Sequence, residues 1–229
     1  MVFDLSFYKF PSTPYLYPPA NQKIREDKVL SEKEAEWFLS NRIVVEEKID
    51  GANLGISFDS NGVIQLQNRG HYLYTPYIGQ WKPLERWLKS RVQSLFDILV
   101  DDYIIFGEWC YYTHSIYYNS LPDWFIAFDV FDKNRNIFLS VKERNDILAR
   151  ADLPIVPYIS EGYFNKESLD TILKKSTYGD ERCEGLYLRI NDSKQLIKRA
   201  KYVRSDFSQS IEKHWTKKKV QKNKLRWLL

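Results

Sequence analysis

Lys48-Ile49-Asp50-Gly51 puts a lysine directly ahead of a turn, at the end of the apolar run Ile43-Val44-Val45. A lysine ε-amine attacks phosphorus only when neutral, and free lysine titrates near ~10.4, so a nucleophilic lysine needs that value lowered by desolvation or by nearby positive charge. The apolar run supplies the first. Lys198, Lys201 and a bound Mg²⁺ are candidates for the second. Four further groups follow in order: Glu108 in Phe106-Gly107-Glu108-Trp109, Phe128-Asp129 inside the apolar stretch 124–131, Glu184-Gly185 running to Arg189, and Lys198-Arg199-Ala200-Lys201. A carboxylate such as Glu184 suits a divalent cation, because Mg²⁺ favours one or two carboxylates plus phosphates and waters. Taken singly, each group also has an ordinary explanation. Lys48 would be a surface lysine in a turn, Glu108 a solvated strand-end acid, Phe128 a core residue, and 198–201 an exposed basic strand.

The elements that must carry these residues are legible from patterning. Ser31-x-x-Glu34 and Ser140-x-x-Glu143 are capping boxes, each followed by a short amphipathic helix, the second running to about Ala151. Arg42–Glu47, Tyr103–Phe106 and Trp124–Phe131 read as strands. Leu54–Phe58 and Val63–Gln67 alternate with period two around Asn61-Gly62, a hairpin signal. Leu186–Ile190 and Gln195–Val203 pair across Asp192-Ser193. Pro83 opens a helix with Leu84, Trp87, Leu88, Val92 and Leu95 on one face. Ser168–Lys175 reads as a further short helix. Four of the nine prolines fall in residues 1–20, which read as an irregular arm over the surface. The fold class is α+β, with mainly antiparallel sheets flanked by helices. There is no βαβ succession and no G-x-x-x-x-G-K-[ST], which argues against Rossmann and P-loop folds.

With 229 residues, 44% hydrophobic and 16% aromatic, the chain has material for one globular domain with a sizeable core. Net charge is +4, unevenly spread: Ser208–Leu229 holds seven Lys/Arg against one acid, so the rest is slightly acidic. A basic terminal segment on such a body suits a polyanion, or is simply a solvated helix. Phe207, Ile211 and Trp215 recur every four residues, giving that helix an apolar stripe. Cys110 and Cys183 have neither disulfide nor zinc spacing. His114 has no metal-like spacing with His71 or His214. No signal pattern or long apolar run occurs, so a cytoplasmic, reducing, non-membrane setting is the expectation.

In order and content, the series Lys48–Gly51, Phe106–Trp109, Phe128-Asp129, Glu184–Arg189 and Lys198–Lys201 resembles the covalent nucleotidyltransferases: ATP-dependent RNA and DNA ligases and mRNA capping enzymes. Lys9–Pro14, His114–Tyr118 leading through Leu121-Pro122-Asp123, and Tyr202–Phe207 with His214-Trp215 look like small bacterial and phage RNA ligases. The resemblance implies an ATP-grasp-like ligase adenylation domain over 1–207, with 208–229 as a basic helical tail and no room for an OB-fold. It implies ATP as co-substrate with Mg²⁺ or Mn²⁺, Lys48 as nucleophile, and RNA ends as partner.

It further implies Glu108 on the ribose hydroxyls, Phe128 on adenine, Glu184 on the metal, and Arg69 on the nucleotide or a 3′-terminal nucleotide. Glu47 would act on adenine mostly through its backbone, with Asp50 beside the nucleotide. Arg189 stands where ligases often have lysine, and its planar fork suits phosphate. The final motif, usually K-x-K, has an ambiguous register here. Residues two apart in a strand share a face, so Lys201 is favoured, then Arg199, with Lys198 pointing away. A DNA or nick-sealing ligase, and a non-catalytic nucleic-acid-binding module, stand as alternatives.

Overall fold

The computed structural model describes residues 7–18, 28–204, 207 and 221–228. It contains α1 (Glu32–Leu39), β1 (Ile43–Lys48), β2 (Ala52–Phe58), β3 (Ile64–Gln67), α2 (Leu84–Lys89), α3 (Val92–Leu99), β4 (Tyr103–Trp109), β5 (Phe125–Asp132), β6 (Ile137–Phe138), α4 (Val141–Arg150), β7 (Tyr158–Gly162), α5 (Lys166–Ile172), β8 (Gly185–Asn191) and β9 (Leu196–Val203). The strands form two antiparallel sheets. One has the order β7-β1-β8-β9, the other β3-β2-β4-β5-β6. This is the α+β architecture that the patterning implies. Among the described residues, no helix is long and apolar enough to cross a membrane.

Local chemistry explains most boundaries. Ser31 caps α1 with both bonds of a capping box, Ser31 Oγ accepting from the Glu34 N–H and Glu34 reaching back to the Ser31 N–H. Ser140 caps α4 by accepting from the Glu143 N–H, while Glu143 itself turns to Arg135. In the β2–β3 hairpin Gly62 takes φ +74°, a left-handed conformation that glycine adopts without a Cβ clash.

Three expectations need correction. The helix opened by Pro83 is two helices: at the break, Arg91 bonds to the Trp87 carbonyl and to Asp123, which holds the chain out of register, and Val92 is exposed. The helix expected over Ser168–Lys175 begins and ends earlier, because Asn165 is its cap and Ser168 the reciprocal partner. The helical tail does not run to the end of the chain. Residues 221–225 are extended and bridge Tyr112 and Leu121, and Arg226–Leu228 form a 3-10 turn; the stretch 208–220 lies outside the described residues.

The five-stranded sheet buries one face under α2, α3 and α4, with Leu54, Ile56, Trp87, Leu95, Ile105 and Leu148 at the centre. The four-stranded sheet packs Ile43, Val45, Leu186 and Leu188 against α1 and α5. A third cluster, including Phe10, Ile49, Phe106, Phe128 and Phe138, fills the junction. The described part of the proline-rich arm, residues 7–18, runs over the surface with Lys9, Pro11 and Ser12 exposed, yet sends other side chains inward. Phe10 and Leu16 are buried, and Leu16 donates to the Lys201 carbonyl at 2.9 Å.

Candidate active site

A cavity of about 120 Å³ opens where the two sheets meet. The four-stranded sheet contributes Glu47, Lys48, Tyr187 and Lys201. The five-stranded sheet contributes Asn53, Glu108 and Phe128. Phe10 and Thr13 come from the arm, and Arg69 from beyond β3. Lys48 is the last residue of β1, and the turn after it is tightly tied. Asp50 Oδ2 accepts from the Ser115 and Ile116 N–H groups at 2.6 and 3.1 Å, and the Asp50 N–H donates to the Tyr118 hydroxyl at 2.8 Å. A Cβ on Gly51 would lie 3.0 Å from both Cys110 Sγ and the Trp109 carbonyl oxygen, so close approach of this loop is what requires glycine.

Lys48 Nζ donates to Glu184 Oε2 at 2.6 Å. Burial pulls the ammonium down, but Glu184, Glu108 and Asp50 outweigh it, and Lys48 is held well above the ordinary lysine range. This corrects the expectation of a depressed lysine: the desolvation is present, but three carboxylates override it, and Lys198 is not nearby. Burial pushes Glu108 up to about 8 and also raises Glu184, with Lys48 opposing in both cases. Burial and then Lys48 lower Lys201 to about 8. Lys201 Nζ lies 3.8 Å from the Tyr15 ring centroid.

Of the residues singled out in the sequence, Lys48, Glu47, Arg69, Glu108, Phe128 and Lys201 line the cavity, and Glu184 touches it through Lys48. Glu47 commits its carboxylate to Ser176 Oγ and the Thr177 N–H, at 2.5 and 2.9 Å, so only its backbone is available there. Asp50 shapes the turn and does not line the cavity.

Arg189 is not on the cavity either. It is buried, bonding through Nε to Glu46 and through Nη1 to Asp129, both at 2.6 Å, and donating to the Phe128 carbonyl at 2.7 Å. Arg199 pairs with Asp129 at 2.9 Å and lies over the Phe138 ring. Lys198 faces outward to Glu34 at 2.9 Å, as the alternation of β9 requires. The register of the last motif thereby resolves to Lys201 at the cavity.

Sequence reasoning missed Phe10, Thr13, Asn53 and Tyr187. Asn53 Oδ1 is buried with no hydrogen-bond partner among the described residues and lies opposite Glu108 in the β2–β4 pairing. Such an orphan acceptor beside a cavity fits a ligand that donates a hydrogen bond. The Phe128 and Tyr187 rings stand at 29°, with centroids 6.3 Å apart. No sequence signal marks Asn53 or Tyr187, and the stretch Lys9–Pro14 stands out without giving Phe10 or Thr13 a role.

For a divalent cation, Glu184 is the donor the geometry offers, beside Lys48 at the cavity. Among the described residues, no three His, Cys, Asp or Glu are grouped so that they could hold a metal ion by themselves. That set fits an ion shared between one carboxylate, waters and substrate phosphates rather than a closed protein cage.

Residues 41–203 match the family model described as RNA ligase, well over half of the chain. The chain belongs to the RNA ligase family. No curated protein is similar to this family member in sequence. Among solved structures, the Naegleria gruberi RNA ligase with PPi is similar at TM-score 0.62 and 17% identity, over 95% of this chain and 64% of that one. A variant of that ligase with ATP and Mn gives 0.61 and 17%, over 90% and 60%. A further variant with AMP and Mn gives 0.59 and 15%, over 91% and 65%. At this identity the likeness concerns the nucleotidyltransferase fold. This chain spans between 53% and 65% of the length of the Naegleria gruberi RNA ligase chains it matches.

Proposed function

We propose that this RNA ligase family member is an ATP-dependent enzyme that joins 5′-phosphate and 3′-hydroxyl RNA ends through a covalent lysyl-AMP intermediate. The observation that carries the reading is the position of Lys48. It stands at the seam of the two sheets, ion-paired to Glu184, with Lys201, Arg69, Glu108 and the Phe128 ring around one cavity.

In this reading Phe128 stacks on adenine, Glu108 and Asn53 receive the ribose hydroxyls, and Lys201 and Arg69 meet the phosphates. Glu184 would hold a divalent cation, which supplies charge neutralisation for the triphosphate. Were the Glu184 carboxylate so engaged, Lys48 would lose its strongest hold on the proton, and burial beside Lys201 would favour the neutral amine. Lys48 Nζ then attacks the α-phosphorus. An N–P bond forms, the bond to the pyrophosphate oxygen breaks, and the amine gives up its proton. An oxygen of an RNA 5′-phosphate next displaces Lys48 from the AMP. A 3′-hydroxyl finally attacks the activated 5′-phosphate and expels AMP. Positioning and cationic stabilisation are the protein's part in each transfer. The basic residues after Ser208 supply sequence-independent attraction to RNA. Joining of this kind suits repair of broken RNA.

The deciding experiment incubates purified protein with α-labelled ATP and Mg²⁺ beside Lys48→Ala, followed by denaturing gels. Label on the wild type alone supports lysyl-adenylate chemistry. No label, also with Mn²⁺, GTP or NAD and after pyrophosphate treatment, would sink it and favour a binding module. A panel of nicked duplexes and single-stranded ends with RNA or DNA at the 3′-hydroxyl then separates RNA from DNA joining.

A further inference from the structure

The face of the five-stranded sheet opposite α2, α3 and α4 carries a second cavity, of about 180 Å³, that the proposed chemistry does not use. It shares that face with the nucleotide cavity. On β2, Asn53 lines the first cavity and Ser57 the second; on β4, Glu108 lines the first and Ile104 the second. Four residues at about 3.3 Å each put the two about 13 Å apart along the strands. The arm crosses between them, with Phe10 on the nucleotide side and Tyr8 on the other. The Phe106 ring lies near both, at centroid distances of 4.9 and 6.3 Å.

The walls of this cavity are chemically mixed. Ile104 and Phe131 make a buried apolar floor, and the Tyr8 ring stacks on Phe131 at 3.9 Å and 24°. Tyr72 forms another side. The polar groups are mostly neutral. Ser57 is only 7% exposed and its hydroxyl makes no hydrogen bond among the described residues, although the residue lines the cavity. Gln65 uses its amide N–H on Asp59 at 3.2 Å, which leaves its carbonyl oxygen to accept. Asn136 brings a second amide. The cation present, Lys133, already donates to the Phe58 carbonyl and pairs with Asp101.

A hydroxyl at a cavity wall that bonds to no described residue is available to a ligand in the cavity. A phosphate would call for uncommitted cations. Flat aromatic surfaces ringed by a hydroxyl and amides instead match a nucleobase, which offers a π-face and an edge of donors and acceptors.

We propose that this cavity binds a nucleobase of the RNA strand being joined, outside the reaction centre on the same sheet face. The proposal rests on the ligase reading above. A stacked strand rising about 3.4 Å per nucleotide covers the separation in about four nucleotides, and an extended one in fewer.

The test uses full-length protein, Ser57→Leu to fill the cavity and Tyr72→Ala to remove a wall. Both variants should take label from α-labelled ATP as the wild type does, since neither residue lines the nucleotide cavity. Both should raise the KM for RNA by about tenfold, the weight of one stacked base. RNAs carrying one photoreactive thiouridine at successive positions on either side of the junction should crosslink most at about two to four nucleotides from it, in the peptide containing Tyr8 or Tyr72. Wild-type KM in both variants, or crosslinks mapping to other peptides, would overturn the proposal. Ser57→Leu tests the site by filling it and Tyr72→Ala by emptying it, so a folding defect in one leaves the other as the measure. Failure of the wild type to take label is a different outcome, which removes the ligase reading itself.

Discussion

At the scale of single residues, the site is a balance of buried charge. Lys48 and Lys201 face Glu184, Glu108 and Asp50 in a buried space, and the titration of Lys48, Lys201, Glu184 and Glu108 reflects that burial and the neighbouring charges. Glu108 makes the clearest prediction. Its folded value of about 8 lies above the ordinary 4.5, so its stabilising contribution is complete below about pH 4.5 and is lost as pH rises through about 8. Glu108→Gln removes that penalty. In metal-free buffer, urea denaturation should show the variant gaining on the wild type between about pH 5 and about pH 9, by a few kcal/mol at the upper end. A difference independent of pH would mean that Glu108 is not strained by burial. Because Glu108 is largely uncharged near neutrality, Gln should also hold ATP better than Ala does, which equilibrium binding can measure.

At the scale of elements, the K-x-D-G turn is positioned from outside its own strand. The loop 110–121 bonds to Asp50 on one side and to the chain's last described residues on the other. Asn223 is buried there, its Oδ1 accepting from the Tyr118 N–H at 2.9 Å and from Thr113 Oγ1 at 2.8 Å, its Nδ2 donating to the Cys110 carbonyl at 2.8 Å. Tyr118→Phe deletes the one hydroxyl that meets the Asp50 N–H. It should slow lysyl-AMP formation about tenfold at a stability cost of about 1–2 kcal/mol, read from single-turnover labelling and denaturation. An unchanged labelling rate would show that the turn holds its shape without this bond. A helix also acts at a distance. Arg144 of α4 bonds to Glu46 and to the Phe128 carbonyl, at 2.5 to 3.1 Å, and its guanidinium is enclosed. Arg144→Ala leaves Glu46 with Arg189 alone and should cost about 3 kcal/mol by denaturant midpoint.

At the scale of the whole molecule, the cavity exists because two sheets are joined along one seam. Arg189 on β8 pairs with both Glu46 on β1 and Asp129 on β5, and Arg199 on β9 also pairs with Asp129, all inside the protein. The bonds from Arg144 and Arg189 to the Phe128 carbonyl fix the ring proposed for adenine. Charge is the other molecular property. Exchanging Lys213, Lys217, Lys218 and Lys219 for Gln should weaken RNA binding and flatten its salt dependence, by about 0.7 in slope for each phosphate no longer neutralised, with no change in lysyl-AMP formation. Equal salt slopes would place the RNA-binding cations elsewhere.

Much was determined by local chemistry and so was open to reading from the chain. Caps, the Asn61-Gly62 hairpin, period-two strands and the ordered motifs depend on residues within a few positions of one another. Lys48, Glu108, Phe128 and Lys201 each sit near a strand end or on an alternating face, and β9 alternation alone separated Lys201 from Lys198. The tertiary structure alone decided what depends on long-range pairing. Arg189 could be a phosphate ligand or a buried strut, and only the approach of Glu46 and Asp129 from other strands makes it the strut. The lysine's charge state follows from three carboxylates that converge from separate segments, not from its apolar strand. Phe10, Thr13 and Asn53 join the site only because the arm crosses the seam and β2 pairs with β4. Short β6 and β7 were invisible because two to five residues carry too little pattern, and their existence rests on a neighbouring strand offering its edge.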